Sequence, residues 1–147
     1  MSKPVISITT YIASTPAKVW EALTNPDITE RYWADTRIES DWKPGSKIIY
    51  RRKGEITDEH IVLTCEPPHW LIHTFHPVFG EYQKEPPSRV AFEIAGGGDV
   101  VRLTMLHDEF PEGSAVHRAC SEGWPMILSS LKTLLKTGAP LPEFKET

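Results

Sequence analysis

Histidine is the side chain in this sequence best suited to acid–base chemistry, because its charge changes near neutral pH. Among the six histidines, His107 differs in its surroundings because it continues the alternation of Val101, Leu103 and Met105. The pattern predicts that His107 shares one face of a strand with apolar side chains. We interpret His107 either as a buried histidine with satisfied hydrogen bonds, or as an acid–base or hydrogen-bonding group for a bound ligand.

The other histidines do not follow the spacing of metal ligands. His73 and His76 are three residues apart in a predicted strand, which places their side chains on opposite faces. His60 follows Asp58 and Glu59, and we interpret these three residues as a solvated strand end. The sequence contains no HExxH motif and no Cys/His spacing typical of zinc sites. We therefore expect no metal ion and no cofactor.

The sequence also lacks motifs for nucleophilic catalysis and phosphate binding. No Gly-x-Ser-x-Gly elbow or Walker motif occurs, and the glycines 96–98 lie between two predicted strands rather than before a helix. Cys65 and Cys120 are too few for a disulfide framework, and each lies in an apolar stretch typical of buried thiols. The sequence therefore favours a binding protein over an enzyme, although it does not exclude catalysis.

A long helix near the carboxyl terminus is the main element that can position these residues. Apolar residues recur every three or four positions from Ser114 to Gly138, which is typical of a helix that buries one face. Gly138 and Pro140 supply a helix stop signal. Pro125 lies inside this stretch and predicts a kink in one continuous helix. Such a helix needs a broad apolar partner surface.

Most of the chain before this helix shows the two-residue alternation of strands. A first strand at 5–12 is followed by two short helices at 16–23 and 28–33, because Thr15-Pro16 and Asn25-Pro26 are helix start signals. Further strands are predicted at 36–41, 46–52, 55–65, 70–76, 89–95 and 100–108. This order predicts an α+β fold, in which a strongly curved antiparallel sheet of six or seven strands wraps around the long helix.

The segment from Pro77 to Ser88 is the longest predicted connection between strands. It carries three prolines together with Phe79 and Tyr82. Long loops with aromatic side chains are often lids or binding loops, so we expect this segment to cover a space between sheet and helix. Exposed aromatic side chains on the loop also allow a homodimer.

Composition limits the classes of protein to which the chain can belong. Of its 147 residues, 39% are hydrophobic and 24% are charged, and the net charge is −4. These values predict one domain over residues 1–147, with a core at about 5–138 and a short tail at 139–147. We expect no nucleic-acid partner, because the net charge is negative, and no membrane span, because no apolar run is long enough. The expected location is the cytoplasm.

Several segments of the sequence resemble a known family. These segments are TPAKVWEALTNPDITERYW, WKPGSKI, RVAFEI, VRLTMLHDEF and GWPMILSSLKTLLKTG. Together they resemble the activator of heat-shock protein 90 ATPase homologue-like family of the SRPBCC, or START-like, superfamily, from about Ile6 to Leu141. The resemblance implies a bacterial stand-alone, single-domain member with a helix-grip fold and an apolar cavity, and it places a histidine at His107. The superfamily includes lipid carriers, hormone receptors, polyketide cyclases and a co-chaperone domain.

We expect the space between sheet, loop and helix to be lined by large apolar and aromatic residues and a few polar groups. The ten candidates are Trp33, Tyr50, Thr74, Phe75, Phe79, Tyr82, Met105, His107, Trp124 and Leu128. The leading hypothesis is a protein that binds a small apolar or aromatic ligand in this space. The alternatives are a cyclase- or hydrolase-like enzyme that uses His107, and a co-chaperone-like protein-interaction domain.

Overall fold

The structure is a computed structural model that describes residues 3–145, and it contains seven strands and three α-helices. In chain order they are β1 (Ile6–Ile12), α1 (Pro16–Thr24), α2 (Pro26–Tyr32), β2 (Thr36–Ser40), β3 (Lys47–Arg52), β4 (Glu55–Glu66), β5 (Trp70–Phe75), β6 (Ser88–Ala95), β7 (Val101–Asp108) and α3 (Ala115–Thr137). A short 3-10 helix, Gly80–Lys84, lies between β5 and β6. The predicted α+β fold is confirmed.

The seven strands form one antiparallel sheet in the order β1-β7-β6-β5-β4-β3-β2. Strands β2 to β6 each pair with the next strand in the chain, and β7 also pairs with β1. The register shifts in β3–β4 between Tyr50 and Arg51, and in β4–β5 between Val62 and Thr64. Such irregularities increase strand bending, and the curved sheet leaves a concave face for a helix.

Helix α3 occupies that concave face. Ser114 caps its start, because the Ser114 hydroxyl accepts a hydrogen bond from the His117 N–H at 2.9 Å. Gly138 ends it in the left-handed conformation, with φ of 86°. The helix continues through Pro125, as predicted. Among residues 3–145, no helix combines the length and apolar character that a membrane crossing would require.

Helices α1 and α2 fix the position of Trp33. The Asn25 side chain accepts from the Asp27 N–H at 2.9 Å and begins α2 directly after α1 ends. The Tyr32 hydroxyl donates to the Ala22 carbonyl at 2.7 Å, which holds the two helices together. The Thr29 hydroxyl donates to the Thr36 carbonyl at 2.9 Å and joins α2 to β2. Trp33, at the end of α2, is thereby held in the core.

Two glycines test where α3 ends: Gly123 lies inside the helix, and Gly138 is its C-terminal cap. Gly138→Ala should destabilise the protein by about 1 kcal/mol, because a left-handed φ is strained for alanine. Gly123→Ala should stabilise it by up to about 1 kcal/mol, because Gly123 is helical and a Cβ there meets no atom within 4 Å. Urea unfolding of both variants measures the two changes. A Gly138→Ala variant that is as stable as the wild-type protein, or more stable, would contradict the assignment of Gly138 as the cap.

Candidate functional site

A cavity of about 250 Å³ lies between α3, the inner face of the sheet and the loop 76–87. Pockets for drug-sized ligands measure roughly 300–1,000 Å³, so this space suits a smaller molecule of one or two rings. Most of the lining side chains are apolar or aromatic. They are Trp33, Tyr50, Arg52, Asp58, Phe75, Pro77, Phe79, Tyr82, Val116, Ala119, Cys120, Gly123, Trp124 and Ile127.

Aromatic rings from four different elements form the inner wall of the cavity. Trp124 of α3 meets Trp33 edge to face, with ring centroids 5.5 Å apart, and Trp33 meets Tyr50 of β3 at 5.7 Å. Phe75 of β5 lies 6.1 Å from Trp124. These four side chains are all buried, and aromatic pairs at such distances attract each other. The wall is therefore held by packing as well as by the backbone.

The loop 76–87 covers the cavity and is attached to the start of α3. Its Phe79 and Tyr82 rings line the cavity and pack together at 5.3 Å. The Glu85 carboxylate accepts from the Ala115 N–H at 2.7 Å and from the Val116 N–H at 3.2 Å. A helix amino terminus carries unpaired N–H groups and a partial positive charge, so a carboxylate is stabilised there. Glu85 therefore holds the loop over the cavity.

Asp58 is the carboxylate on the cavity wall. Its side chain is 10% exposed, and Oδ2 lies 3.6 Å from His60 Nε2. Burial raises the pKa of Asp58 to about 6, whereas a hydrogen bond from Thr57 and the charges of Arg52 and His76 act in the opposite direction. A carboxyl group with this pKa changes its charge close to neutral pH, which is a common property of functional groups.

His60 is fully buried, so the prediction that it forms a solvated strand end is wrong. Its Nδ1 accepts a hydrogen bond from the His76 N–H at 2.8 Å, which places the proton of the neutral ring on Nε2. Burial holds the pKa of His60 well below its usual value. Within residues 3–145, Nε2 has no hydrogen-bond partner. Asp58 and His60 therefore do not form an ion pair. A neutral N–H group of His60 lies close to the Asp58 carboxylate.

His107 lies behind the cavity wall, where both of its ring nitrogens are used. The Trp124 indole N–H donates to Nδ1 at 3.0 Å, and an indole can only donate. Nε2 therefore carries the proton and donates to the Ser88 hydroxyl at 2.7 Å. Burial lowers the pKa of His107 to about 3. The alternative in which His107 serves a ligand as acid–base group is therefore corrected: its hydrogen bonds serve the core.

Six of the ten predicted residues lie on the cavity wall, namely Trp33, Tyr50, Phe75, Phe79, Tyr82 and Trp124. Their contact with a ligand stays a prediction. The other four do not lie there. Met105, His107 and Leu128 fill the core, and the Thr74 hydroxyl accepts from the Ile61 N–H at 2.8 Å on the other face of the sheet. Thr74 faces away because its neighbours in β5, His73 and Phe75, both point inward.

The polar wall residues Asp58 and Arg52 were missed by the sequence prediction. The sequence predicts Asp58 at a solvated strand end, because Glu59 and His60 follow it. The cross-strand pairing of Asp58 with Tyr50 places it inside, and a sequence does not contain that register. Val62 lies on the same face of β4 as Asp58 and His60, and its apolar side chain is the one local signal that this face points inward.

A curved antiparallel sheet that wraps around a long C-terminal helix, with a cavity between them, defines a helix-grip protein. The chain belongs to the family described as activator of Hsp90 ATPase homolog 1-like protein, whose model matches residues 13–136. The predicted family resemblance is confirmed. No curated protein matches the chain.

Solved structures with the same fold come from several organisms. CalU16 from Micromonospora echinospora is 25% identical, with a TM-score of 0.72 over 94% of this chain and 77% of that one. The Aha1 dimer from Colwellia psychrerythraea is 21% identical, with a TM-score of 0.74 over 92% and 98%. PFC0360w, an HSP90 activator from Plasmodium falciparum, is 19% identical, with a TM-score of 0.74 over 92% and 97%. The latter two similarities show the fold alone.

The buried titratable groups predict loss of stability in mild acid. Burial lowers the pKa of His60, His73 and His107, so the unfolded chain binds more protons than the folded one below pH 6.5. Asp58 has a raised pKa and acts in the opposite direction between pH 6 and 3.8. The net effect is a loss of about 2–3 kcal/mol between pH 6 and pH 5, measured by urea unfolding.

Asp58→Asn is the matched variant for this measurement. The variant removes the Asp58 carboxyl, whose protonation stabilises the folded state in acid. The loss in the free energy of unfolding between pH 6 and pH 5 should therefore increase by about 1 kcal/mol. A stability that does not change between these pH values would show that the three histidines are not buried as neutral rings.

Proposed function

We propose that this protein binds a small apolar or aromatic molecule in the cavity between α3 and the sheet. The observation that carries this proposal is the cavity itself, about 250 Å³ of space lined mainly by apolar and aromatic side chains. Binding sites for small molecules are usually concave, mostly apolar and already formed, and this space has these three properties.

The way in which the lining residues are held also supports binding. Trp33 and Trp124 are each 5% exposed or less, and both are packed against other rings rather than only against the empty space. A wall that is ordered before binding loses little conformational entropy when a ligand enters. The loop 76–87 adds Phe79, which is 48% exposed and belongs to the mouth of the cavity.

The enzyme alternative requires His107 as an acid–base group in the cavity, and His107 does not line the cavity. His107 is fully buried, its two nitrogens bond to Trp124 and Ser88, and it is not part of the cavity lining. The co-chaperone alternative relies on the outer surface, and its support is the family name and the fold of the Plasmodium HSP90 activator. The cavity favours the binding proposal over both.

Filling the cavity from α3 tests the proposed function. Cys120→Phe should place a ring into the space beside Trp124 and weaken the binding of 1-naphthalenemethanol by at least about tenfold, because Cys120 lines the cavity, is half-buried, and little volume would remain. Isothermal titration calorimetry measures the affinity. Ala17→Phe is the control, because Ala17 is exposed on α1 and does not line the cavity. Equal affinities of the two variants would place the probe elsewhere, which would contradict the proposal.

A homodimer through the loop is a second part of the proposal. Its support is the exposed Phe79 and the dimer formed by the related Aha1 of Colwellia psychrerythraea. Phe79→Ser should weaken dimerisation in sedimentation equilibrium, whereas Phe144→Ser should not, because Phe144 is also exposed but lies in the C-terminal segment, outside the loop. Purely monomeric wild-type protein at the highest soluble concentration would refute the dimer. The cytoplasmic location stays a prediction.

A further inference from the structure

The cavity wall carries a buried carboxylate, that of Asp58. The Asp58 side chain is 10% exposed, yet among residues 3–145 it forms no ion pair with a lysine or an arginine. Burial raises the pKa of Asp58, and Arg52 on the same wall opposes this rise through its charge but forms no ion pair with Asp58. His60 Nε2, at 3.6 Å, is beyond a hydrogen bond and belongs to a neutral ring. A buried carboxylate that no counter-charge contacts is costly, so a cation that reaches it gains a strong partner.

The rest of the wall is also suited to a cation that carries an apolar group. Trp33, Tyr50, Phe75 and Trp124 surround the same space as Asp58. Aromatic rings attract cations through the negative charge of their faces, and tryptophan does so most strongly. A lone carboxylate within aromatic walls therefore offers two interactions to one ligand: an ion pair with its charged end and apolar contact with its body.

We infer that the cavity selects an aromatic or apolar amine of one or two rings, whose ammonium group pairs with the Asp58 carboxylate. This inference rests on the proposed ligand-binding function and adds the charge of the ligand to it. The volume of about 250 Å³ sets the size, the aromatic wall sets the apolar character, and Asp58 sets the charge.

The negative charge of Asp58 reaches other groups on the wall. The pKa of Tyr50 lies well above its usual value. Burial is the larger cause, and the negative charge of Asp58 adds to it. Burial raises the pKa of Cys120 to about 12, and Asp58 and Glu85 add to it. These two residues belong to β3 and α3, on different sides of the space. Carboxylates therefore contribute negative potential at both positions, which is favourable for an amine.

The pH dependence follows from the groups around Asp58. They come from every neighbouring element and are Arg52 and Tyr50 of β3, Thr57 and His60 of β4, His76 after β5 and Cys120 of α3. Arg52 is exposed at the rim and opposes an incoming cation. The pKa of Asp58 is about 6, so the carboxylate is mostly charged at pH 7 and mostly neutral at pH 5. Amine binding should weaken over this interval.

A matched pair of probes tests the inference. 1-Naphthylmethylamine and 1-naphthalenemethanol share one ring system and differ in charge. At pH 7 the amine should bind at least about tenfold more tightly than the alcohol, measured by calorimetry. Between pH 7 and pH 5 the affinity for the amine should fall about tenfold, whereas that for the alcohol should stay within about twofold. Saturation with the amine should also lower the pKa of Asp58 in a carboxyl NMR titration.

Two variants with opposite expected effects complete the experiment. Asp58→Asn should remove the preference for the amine and leave the affinity for the alcohol unchanged. Arg52→Gln should increase the affinity for the amine about two- to threefold, because it removes a competing cation at the rim. Equal binding of both probes to the wild-type protein would overturn the amine inference and leave the proposed function standing. Binding of neither probe would overturn both.

Discussion

The hydrogen bond from Trp124 to His107 ties the long helix to strand β7 of the sheet, and the cavity depends on it. An indole N–H buried without an acceptor is costly, and His107 Nδ1 supplies that acceptor at 3.0 Å. Ser88 completes the chain by accepting from Nε2 at 2.7 Å and donating to the Phe75 carbonyl at 3.4 Å. Helix α3, β7, β6 and β5 are joined in this way. The bond fixes the rotation of α3, which directs Cys120 and Gly123 to the cavity.

The parts of the fold that depend on local periodicity could be predicted from the sequence. The three- and four-residue spacing of apolar side chains indicates helix α3, which runs from Ala115 to Thr137. Its ends are local features too, because the Ser114 side chain caps the first turn and Gly138 adopts the left-handed conformation. The strands of the hairpin 88–108 follow from their two-residue alternation. The alternation also placed His107 on the buried face. Its hydrogen-bond partners lie 17 and 19 residues away, so local pattern could not choose between its two interpretations.

The polar side of the cavity could not be predicted, because β4 reverses the usual pattern. Asp58 and His60 point inward, while Ile61 and Leu63 are 37% and 46% exposed on the outer face. Judged by hydrophobicity alone, the opposite orientation would be expected. The pairing with β3 decides the orientation, because His60 lies opposite the buried Ile48 and Asp58 opposite the buried Tyr50. The inward orientation of Phe75 and Trp124 can be predicted from the sequence, because large aromatic side chains are seldom left outside a core.

The attachment of Glu85 to the first turn of α3 has a kinetic consequence. The Glu85 carboxylate accepts from the Ala115 and Val116 amides while the cavity is open beside the exposed Phe79. A guest can therefore enter and leave without breaking this contact. Exchange of a guest should be limited by its own desolvation rather than by movement of the loop.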